Sequence, residues 1–515
     1  MTFESPVLNH RRPSATRSLI LAAVASTLVA LASPSLAQTT VDPTSAPVQT
    51  ARPGYASATT AFAALERQDY TGAVAAATEA VRLEPGNRSY RLALTDAHLG
   101  AGQAQAALAA IEPIRQDPSF EVQSRLGSAL SQLDRHAEAA VAFGEAASAA
   151  PSTDARAYAT RARVLALIES EEVDRARSEY LAALQAGTLD GSRPMDMAVL
   201  AVAVGEDKIA QPFYAEAASA GLLSGSAALD AGYSARRAHE DRAAIAYFSR
   251  GIDDAAAGSP ALTPRAMFDV RRDVANLDRS WGASGSISYG ASSAANGIPT
   301  SPGSSDSLQA GVEVYRRLGG YRAGAPIDVF ARVFETVDAD TGATGTDSRQ
   351  GWIGARWKPL ADANLVLEGS RMVKLGNSAR NDWMVRASYS REQGTDMMID
   401  QRSWPMWRLY ADTSYILDDQ QTFGVVDARI GRSFALGADN RTIVSVFGGV
   451  GVNYDSALRN AEAVGAGPGV SLRRWFRETK YAAPRSFVDL TLEYRFRLAG
   501  DERAEGLFAT FSVNY

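Results

Sequence analysis

Charged side chains recur at every second position of several segments in the C-terminal half of the chain. In segment 488–498, acidic and basic residues alternate with Val, Leu, Tyr and Phe, so that in a β-strand the two kinds would lie on opposite faces. By the same parity, one face would carry Glu313, Arg332, Glu368, Arg386, Arg408, Tyr410, Asp412, Asp427, Arg429, Arg473, Trp475, Asp489, Glu493, Arg495 and Arg497. Enclosed in a barrel, these groups could exchange hydrogen bonds with the hydroxyls of a passing glycan. They could equally pair with one another and hold a narrow lumen rigid, without transport.

The sequence offers few candidates for catalytic residues. The chain contains four histidines, His10, His98, His136 and His239, and none of them follows Trp281. A hydrolase or protease that uses a histidine base therefore has no imidazole in the C-terminal half. Cysteine is absent, and no cluster of histidines and carboxylates has the spacing of a zinc site. We predict no catalytic residue, no metal site and no cofactor, and hence a protein that is not an enzyme.

Two glycine-rich segments, GGVGVN and GAGPGV, could suggest a phosphate-binding loop. Such a loop must open a helix, because the helix N-terminus supplies the backbone N–H groups that hold the phosphate. Both segments instead flank predicted strands. They are therefore predicted to be turn and strand glycines.

The strand pattern of the C-terminal half fits either a soluble sandwich or an outer-membrane barrel, because alternation alone does not say which face meets the solvent. Three observations favour a barrel: an export signal, strands of about ten residues, and an apolar last strand that ends in the aromatic Tyr515. We predict an antiparallel outer-membrane β-barrel of about twelve strands over residues 281–515. The strands are expected near 281, 307, 327, 350, 364, 381, 407, 424, 441, 466, 486 and 505.

The N-terminal half contains a repeat of small residues. Alanine recurs at intervals of 34, 32, 37, 34 and 34 residues, at Ala73, Ala107, Ala139, Ala176, Ala210 and Ala244. A period near 34, with a small residue where two helices cross, is typical of tetratricopeptide repeats. We therefore predict an α-helical solenoid over residues 57–262, so that the whole chain is a two-domain α + β protein.

Four aromatic residues follow the repeated alanines by four positions: Phe143, Tyr180, Tyr214 and Phe248. They could anchor a bound peptide in the groove of the solenoid. They could also pack between neighbouring repeats, which we favour because this position is normally internal. A linker helix is predicted over residues 263–280, with Thr263 as its N-cap and Pro264 in its first position.

The first 37 residues are predicted to be a signal peptide. A basic segment precedes the apolar stretch LILAAVASTLVALA, and SLA forms a small-x-small cleavage site at residue 37. Residues 38–56 are predicted to be a flexible linker, and no later stretch has 18 consecutive apolar residues. The net charge of −6 argues against a nucleic-acid partner.

Several segments resemble the C-terminal domain of the bacteriophage N4 adsorption protein A family. They lie between about residues 355 and 508 and include ARWKPLADANLVLEGSRMVKLG, ARNDWMVRASYS, LYADTSYIL and GPGVSLRRWFRETKYAAPRSFVDLTLEYRFRLAGDERAEGLF. The resemblance implies a location in the outer membrane with repeats in the periplasm. It also implies an association with an inner-membrane glycosyltransferase, a surface polysaccharide and, in some members, a phage.

Taken together, these observations predict an outer-membrane protein of a surface-polysaccharide (exopolysaccharide) secretion system. Its repeats would dock a periplasmic or inner-membrane protein, and its barrel, surrounded by outer-membrane lipid, would pass the polymer. The alternative is a non-conducting surface anchor that serves as a phage adsorption receptor.

Overall fold

The computed structural model of the chain describes residues 52–290 and 307–515. The predicted signal peptide, residues 1–37, and most of the predicted linker, residues 38–56, lie outside the described residues. The described residues divide into two compact units, 52–223 and 224–515. Within them, no helix combines the length and the hydrophobicity needed to cross a membrane.

The first unit consists of helices that follow one another with short connections. Their bounds are α1 Tyr55–Glu66, α2 Tyr70–Leu83, α3 Arg88–Gly100, α4 Ala104–Ile111, α5 Phe120–Gln132, α6 His136–Ser148, α7 Thr153–Glu169, α8 Val173–Gln185, α9 Pro194–Ala203 and α10 Asp207–Ser219. Several begin at a polar cap: the side chains of Asp69, Asn87 and Ser152 each accept a hydrogen bond from the first turn of α2, α3 and α7.

The repeated alanines lie where the paired helices meet. All six of them, Ala73, Ala107, Ala139, Ala176, Ala210 and Ala244, are completely buried. A larger side chain there would push the two helices of a pair apart, which explains why a small residue recurs with the repeat. The predicted helical repeats are thus confirmed.

The four aromatic residues that follow these alanines lie inside the helical packing. Phe143, Tyr180, Tyr214 and Phe248 are each less than 5% exposed. Phe143 packs against Gly127 on the preceding helix, where a Cβ atom would come within 2.9 Å of its ring. The hydroxyl of Tyr180 donates to the carbonyl oxygen of Met197 in α9 at 3.5 Å. These contacts leave the aromatic rings little surface with which to bind a peptide.

The second unit begins with three helices, α11 Ser226–Arg237, α12 Asp241–Ala256 and α13 Pro264–Leu277. The hydroxyl of Thr263 accepts a hydrogen bond from the N–H of Ala266, and Pro264 is the first residue of α13, as predicted. One apolar face of α13 is buried. These helices pack with the strand region that follows them rather than forming a separate body.

Twelve strands form a closed antiparallel barrel, which confirms the predicted fold. Their bounds are β1 Trp281–Tyr289, β2 Ser307–Leu318, β3 Ile327–Ala339, β4 Gln350–Trp357, β5 Asn364–Lys374, β6 Asp382–Gln393, β7 Ser403–Ile416, β8 Gln421–Leu436, β9 Thr442–Asp455, β10 Glu462–Phe476, β11 Ser486–Gly500 and β12 Gly506–Asn514. Each strand pairs with its neighbours in sequence, and β12 pairs with β1 from Ala509 opposite Tyr289 to Asn514 opposite Ser284.

The apolar face of the strands points outward. Leu490, Leu492 and Phe511 are 40%, 40% and 44% exposed, although an aqueous sandwich would bury them. Exposed aromatic residues lie near both ends of the outer surface: Trp281, Trp357 and Tyr515 at one end, and Trp383, Tyr415 and Tyr454 at the other. An apolar band between two aromatic girdles is characteristic of outer-membrane barrels.

Candidate functional site in the barrel lumen

The two ends of the barrel are distinguished by α13. We call the end at which α13 leads into β1 the helix end, and the other the opposite end. The connections β2–β3, β4–β5, β6–β7, β8–β9 and β10–β11 lie at the helix end, because the strands alternate in direction. The other connections among the described residues belong to the opposite end.

A continuous chain of ion pairs runs along the inner wall of the barrel from β2 to β7. We call it the ion-pair ladder, and its members in order are Arg317, Asp328, Arg356, Glu313, Arg332, Glu368, Arg386 and Asp412. The nitrogen–oxygen distances between successive members are 3.2, 3.3, 2.7, 2.5, 3.2, 3.6 and 2.6 Å. The side chains of Arg332 and Arg386 are only 1% exposed.

The register of the sheet produces this ladder. Glu313 lies directly opposite Arg332, and Arg356 lies opposite Asp328 on one side and Glu368 on the other. Glu368 in turn lies opposite Arg386. Because opposite charges face each other across adjacent strands, each arginine can bind two carboxylates. Single buried charges would be costly here, and the pairing removes most of that cost.

A second ionic cluster lies between β8 and β11. Arg495 pairs with Asp427 at 2.9 Å and with Glu493 at 2.6 Å, and Arg429 pairs with Glu493 at 3.3 Å and with Asp427 at 2.9 Å. Strands β9 and β10 lie between β8 and β11 in the barrel. Two of the four pairs, Arg495–Asp427 and Arg429–Glu493, therefore reach over two intervening strands, and the other two lie within a single strand.

Inward-facing glycines on β9 and β10 make room for the second cluster. A Cβ atom on Gly449 would come within 2.8 Å of Glu493, and one on Gly451 would come within 1.9 Å of Arg495. These residues belong to the GGVGVN segment, whose strand location was predicted. The structural reason for the glycines is the space that the side chains of β11 require.

Replacement of Gly467 by alanine tests how tightly this wall is packed. Its Cβ would lie 1.8 Å from the backbone carbonyl oxygen of Tyr494, which no side-chain rotation can relieve. We expect the variant to lose about 3 kcal/mol of stability, as measured by urea unfolding of the refolded barrel. Gly448→Ala is the control, because a Cβ there meets no atom within 4 Å. Equal midpoints for both variants would contradict this packing.

An apolar layer on strands β3 to β8 lies in the lumen toward the opposite end. It consists of Phe330, Phe334, Trp352, Met372, Met384, Ile416 and Phe423. The rings of Phe334 and Trp352 meet edge to face, with 5.8 Å between centroids. The guanidinium of Arg332 lies 4.6 Å from the centre of the Phe330 ring, so this layer adjoins the ion-pair ladder.

A second apolar layer lies at the helix end, where α13 contacts the barrel. Phe268 of α13 packs with Met397, Trp404, Ala435, Ile443, Trp475, Ala483 and Phe487. Arg272 of α13 pairs with Asp396 at 2.6 Å and lies over the rings of Phe268 and Trp475. Burial alone would raise the pKa of Asp396, but the charge and hydrogen bonds of Arg272 outweigh it, and the pKa lies below its ordinary value.

Further contacts hold α11–α13 to the loops of the helix end. Asp273 of α13 pairs with Arg236 of α11, so the helices are joined to each other. Asp253 of α12 pairs with Lys480 at 2.6 Å, and a carboxylate oxygen of Asp241 accepts a hydrogen bond from the N–H of Tyr321 at 2.6 Å. The three helices therefore form a cap on this end of the barrel, which we call the helical cap.

Two small cavities lie among the lumen residues that the structure describes. One cavity of about 120 Å³ lies beside the ionic groups, and hydroxyl-bearing residues of β1, β11 and β12 line it: Ser284, Ser286, Thr491, Thr510 and Ser512. A second cavity of about 80 Å³ lies at the helix end. Pockets that hold small ligands measure about 300–1,000 Å³. Both cavities have room for ordered water but not for a sugar polymer.

The structure distributes the predicted lumen residues over several environments. Arg332, Glu368, Arg386 and Asp412 belong to the ion-pair ladder, and the hydroxyl of Tyr410 hydrogen-bonds Asp412 at 2.9 Å. Glu493 and Arg495 belong to the second cluster, together with Asp427 and Arg429 of β8.

The remaining predicted residues lie nearer the ends of the lumen. Arg473 pairs with Asp489 at 2.9 Å, and Trp475 is covered by the helical cap. Arg408 is half-buried, 3.8 Å from Glu392. Arg497 is exposed at the opposite end, 3.8 Å from Glu505. A path for a glycan along these residues stays a prediction.

Three members of the ion-pair ladder were not predicted: Arg317, Asp328 and Arg356. Arg317 and Asp328 have the same parity on their strands as the predicted residues Glu313 and Arg332, so the alternation could have identified these two, whereas β4, which carries Arg356, has no predicted lumen residue. All three lie near the strand ends, where a sequence does not show whether a side chain still faces the lumen. Among residues 52–290 and 307–515, no group of histidines and carboxylates could hold a metal ion.

Comparison with known families gives one match in the barrel. Residues 341–511 match the family model described as Bacteriophage N adsorption protein A C-term. The match extends from the β3–β4 connection into β12 and so includes most of the strands. It supports the predicted resemblance. No curated protein matches the chain.

Solved structures similar to this chain match its helical region. The pilF protein of Pseudomonas aeruginosa is 17% identical with a TM-score of 0.33, and the match covers 38% of this chain and 89% of the pilF chain. PilW, a type IV pilus biogenesis factor, has 18% identity and a TM-score of 0.35, covering 41% and 94%. A tetratricopeptide repeat protein from Parabacteroides merdae has 12% identity and a TM-score of 0.25, covering 39% and 93%. The described residues of this chain join helical repeats to a closed twelve-stranded barrel.

Proposed function

We propose that this protein is an outer-membrane anchor whose barrel is closed to polymers and whose helical repeats hold a protein partner. The observation that carries the proposal is the ion-pair ladder, whose central side chains are almost completely buried in the lumen. A filled barrel can fix a protein in the membrane and display its loops, but it offers no passage. The non-conducting anchor, one of the two alternatives from the sequence, is the function that this geometry favours.

The energy needed to open the lumen supports the same conclusion. Leaving one member of a buried ion pair without its partner costs about 3–5 kcal/mol. The whole folding free energy of a domain is about 5–15 kcal/mol. Separating several pairs of the ladder to admit a polymer would therefore use much of the stability of the barrel.

In this proposal the repeats lie in the periplasm and dock a periplasmic or inner-membrane protein, such as the glycosyltransferase that the family resemblance implies. Solenoids of paired helices present extended surfaces that suit protein partners. The loops of the opposite end face outward, where a phage could adsorb. The proposal includes no catalytic activity. Hydrolysis of lipid or peptide by the purified protein would contradict this part of the proposal.

Conductance across a planar bilayer tests the closed barrel. We expect the purified full-length protein to give no stable current steps, because the lumen is filled between its two apolar layers. Arg497→Ala, at the exposed rim, should be equally silent. Steady open-pore currents that change in Glu493→Ala or Arg495→Ala would overturn the proposal and indicate a conducting lumen.

Polymer passage in a surface-polysaccharide secretion system is the second candidate. The hydroxyl-lined cavity favours it, since Ser284, Glu313 and Asn514 line both this cavity and the one at the helix end. Sugars are bound by such hydroxyl and carboxylate groups. Deletion of the gene, followed by staining of surface glycan, tests this candidate. Unchanged glycan would count against any role in secretion.

A further inference from the structure

Four arginines project from the outer surface of the barrel near the helix end. They are Arg316 on β2, Arg391 on β6, Arg432 on β8 and Arg474 on β10, and all four are exposed. Each has the strand parity of the outward apolar residues. The set is distinct from the ion-pair ladder, whose arginines face the lumen. We call these four residues the arginine belt.

The positive charge of the arginine belt is not balanced by nearby carboxylates. Among the described residues, Arg316, Arg391 and Arg432 form no ion pair within 4.0 Å, and Arg474 has only Asp439, at 3.8 Å. The outward-facing carboxylates on the described strands, Glu335, Asp338 and Glu462, lie near the opposite end. On the outer face of the described strands, the carboxylates therefore lie away from the arginine belt.

The arginine belt lies at the edge of the apolar band. Two residues closer to the middle of each strand, the outward positions are Val314, Tyr389, Ile430 and Leu472. Arg316 also lies directly opposite the exposed Trp281 in the register of β1 and β2. Aromatic side chains of this kind sit at the level of lipid headgroups. In a membrane that covers the apolar band, the guanidinium groups would lie near the depth of the lipid phosphates.

We propose that the arginine belt binds the phosphate groups of anionic glycerophospholipids in the leaflet that surrounds the helix end. Guanidinium groups bind phosphate through paired hydrogen bonds, and they are less strongly hydrated than ammonium groups. An anionic leaflet also attracts basic residues near its surface. The inference rests on the proposed membrane location of the barrel, but not on whether the lumen conducts.

This binding would also orient the protein. A leaflet of glycerophospholipid lies on the periplasmic side of a bacterial outer membrane, whereas lipid A occupies the outer leaflet. The arginine belt would therefore place the helix end, and with it the helical cap, on the periplasmic side. The opposite end would then face the cell exterior.

Lipid retention by the full-length protein tests the proposal. The protein is reconstituted into phosphatidylcholine vesicles with a minor fraction of phosphatidylglycerol, extracted with mild detergent, and analysed for bound lipid. We expect several-fold enrichment of phosphatidylglycerol over its bulk fraction, and loss of that enrichment at high salt. The combined variant Arg316→Gln, Arg391→Gln, Arg432→Gln, Arg474→Gln should retain both lipids in the bulk ratio.

A matched control replaces four cations outside the belt, of which three are exposed and one, Arg371, is half-buried: Lys374→Gln, Arg459→Gln, Arg497→Gln and Arg371→Gln. It should retain phosphatidylglycerol like the unaltered protein. Equal enrichment in the belt variant, or a preference for lipid A in a parallel reconstitution, would overturn the proposal. Heat-modifiable gel mobility reports insertion separately, so a protein that never enters vesicles would instead refute the membrane location on which the proposal rests.

Discussion

Replacement of Arg332 by alanine is expected to lower the free energy of unfolding of the barrel by about 3–5 kcal/mol. Arg332 pairs with both Glu313 and Glu368, and all three side chains are at most 6% exposed. Its removal leaves two buried carboxylates with fewer positive partners and a cavity between them. Urea unfolding of the reconstituted protein, followed by tryptophan fluorescence, measures the change.

Two further variants separate the loss of the ion pair from a general intolerance of substitution. Arg497→Ala removes an exposed guanidinium at the rim and should change stability by less than about 1 kcal/mol. The double variant Arg332→Leu, Glu368→Leu should recover part of the loss, since apolar pairs often replace buried ion pairs at little cost. An Arg332→Ala barrel as stable as the unaltered one would show that the ladder does not hold the lumen closed.

Replacement of Arg272 by alanine is expected to release the helical cap from the barrel. Arg272 joins α13 to Asp396 and covers the rings of Phe268 and Trp475, and hydrogen bonds to charged groups contribute about 1.5–3 kcal/mol. Amide hydrogen exchange in α13 should therefore accelerate by about 10- to 100-fold, at 1.4 kcal/mol for each factor of ten.

The control for this experiment is Arg242→Ala, on the exposed side of α12. It should leave exchange in α13 unchanged, because Arg242 makes no contact with the barrel loops among the described residues. Exchange that stays slow in Arg272→Ala would mean that the apolar contacts of Phe268 hold the cap without the ion pair.

The sequence predicted the strands well because the signal is local. Alternation with period two marks a strand, and the Gly, Asn and Asp residues between strands mark turns, so twelve strands could be placed near their observed positions. The repeats were found for a similar reason. A buried alanine such as Ala139 must recur wherever the same helix crossing recurs.

The contacts within the lumen could not be predicted in the same way. Parity indicates that Glu313 and Arg332 face inward, but only the register places them opposite each other. The pairing of Arg495 with Asp427 over two intervening strands is still less local, because it depends on the curvature of a closed sheet. The sequence could therefore suggest both a glycan path and a set of ion pairs without deciding between them.

The packing of helices α11–α13 against the barrel could not be predicted from the sequence either. Composition changes at Trp281, where the strands begin, yet the compact units divide between Leu223 and Ser224. Helix α12 has the alanine of the repeat at Ala244, so the repeat pattern does not distinguish it from the helices of the first unit. It differs from them in its contacts with distant loop residues such as Lys480.

The shared partners in the ladder also constrain how such a sequence can change over evolutionary time. Glu313 accepts from both Arg332 and Arg356, so a reversal of charge at any one of these positions places like charges side by side in a buried part of the barrel. A tolerated change therefore requires compensating substitutions on adjoining strands. Related chains with the same barrel should vary at these positions in concert, whereas their outward-facing positions drift independently.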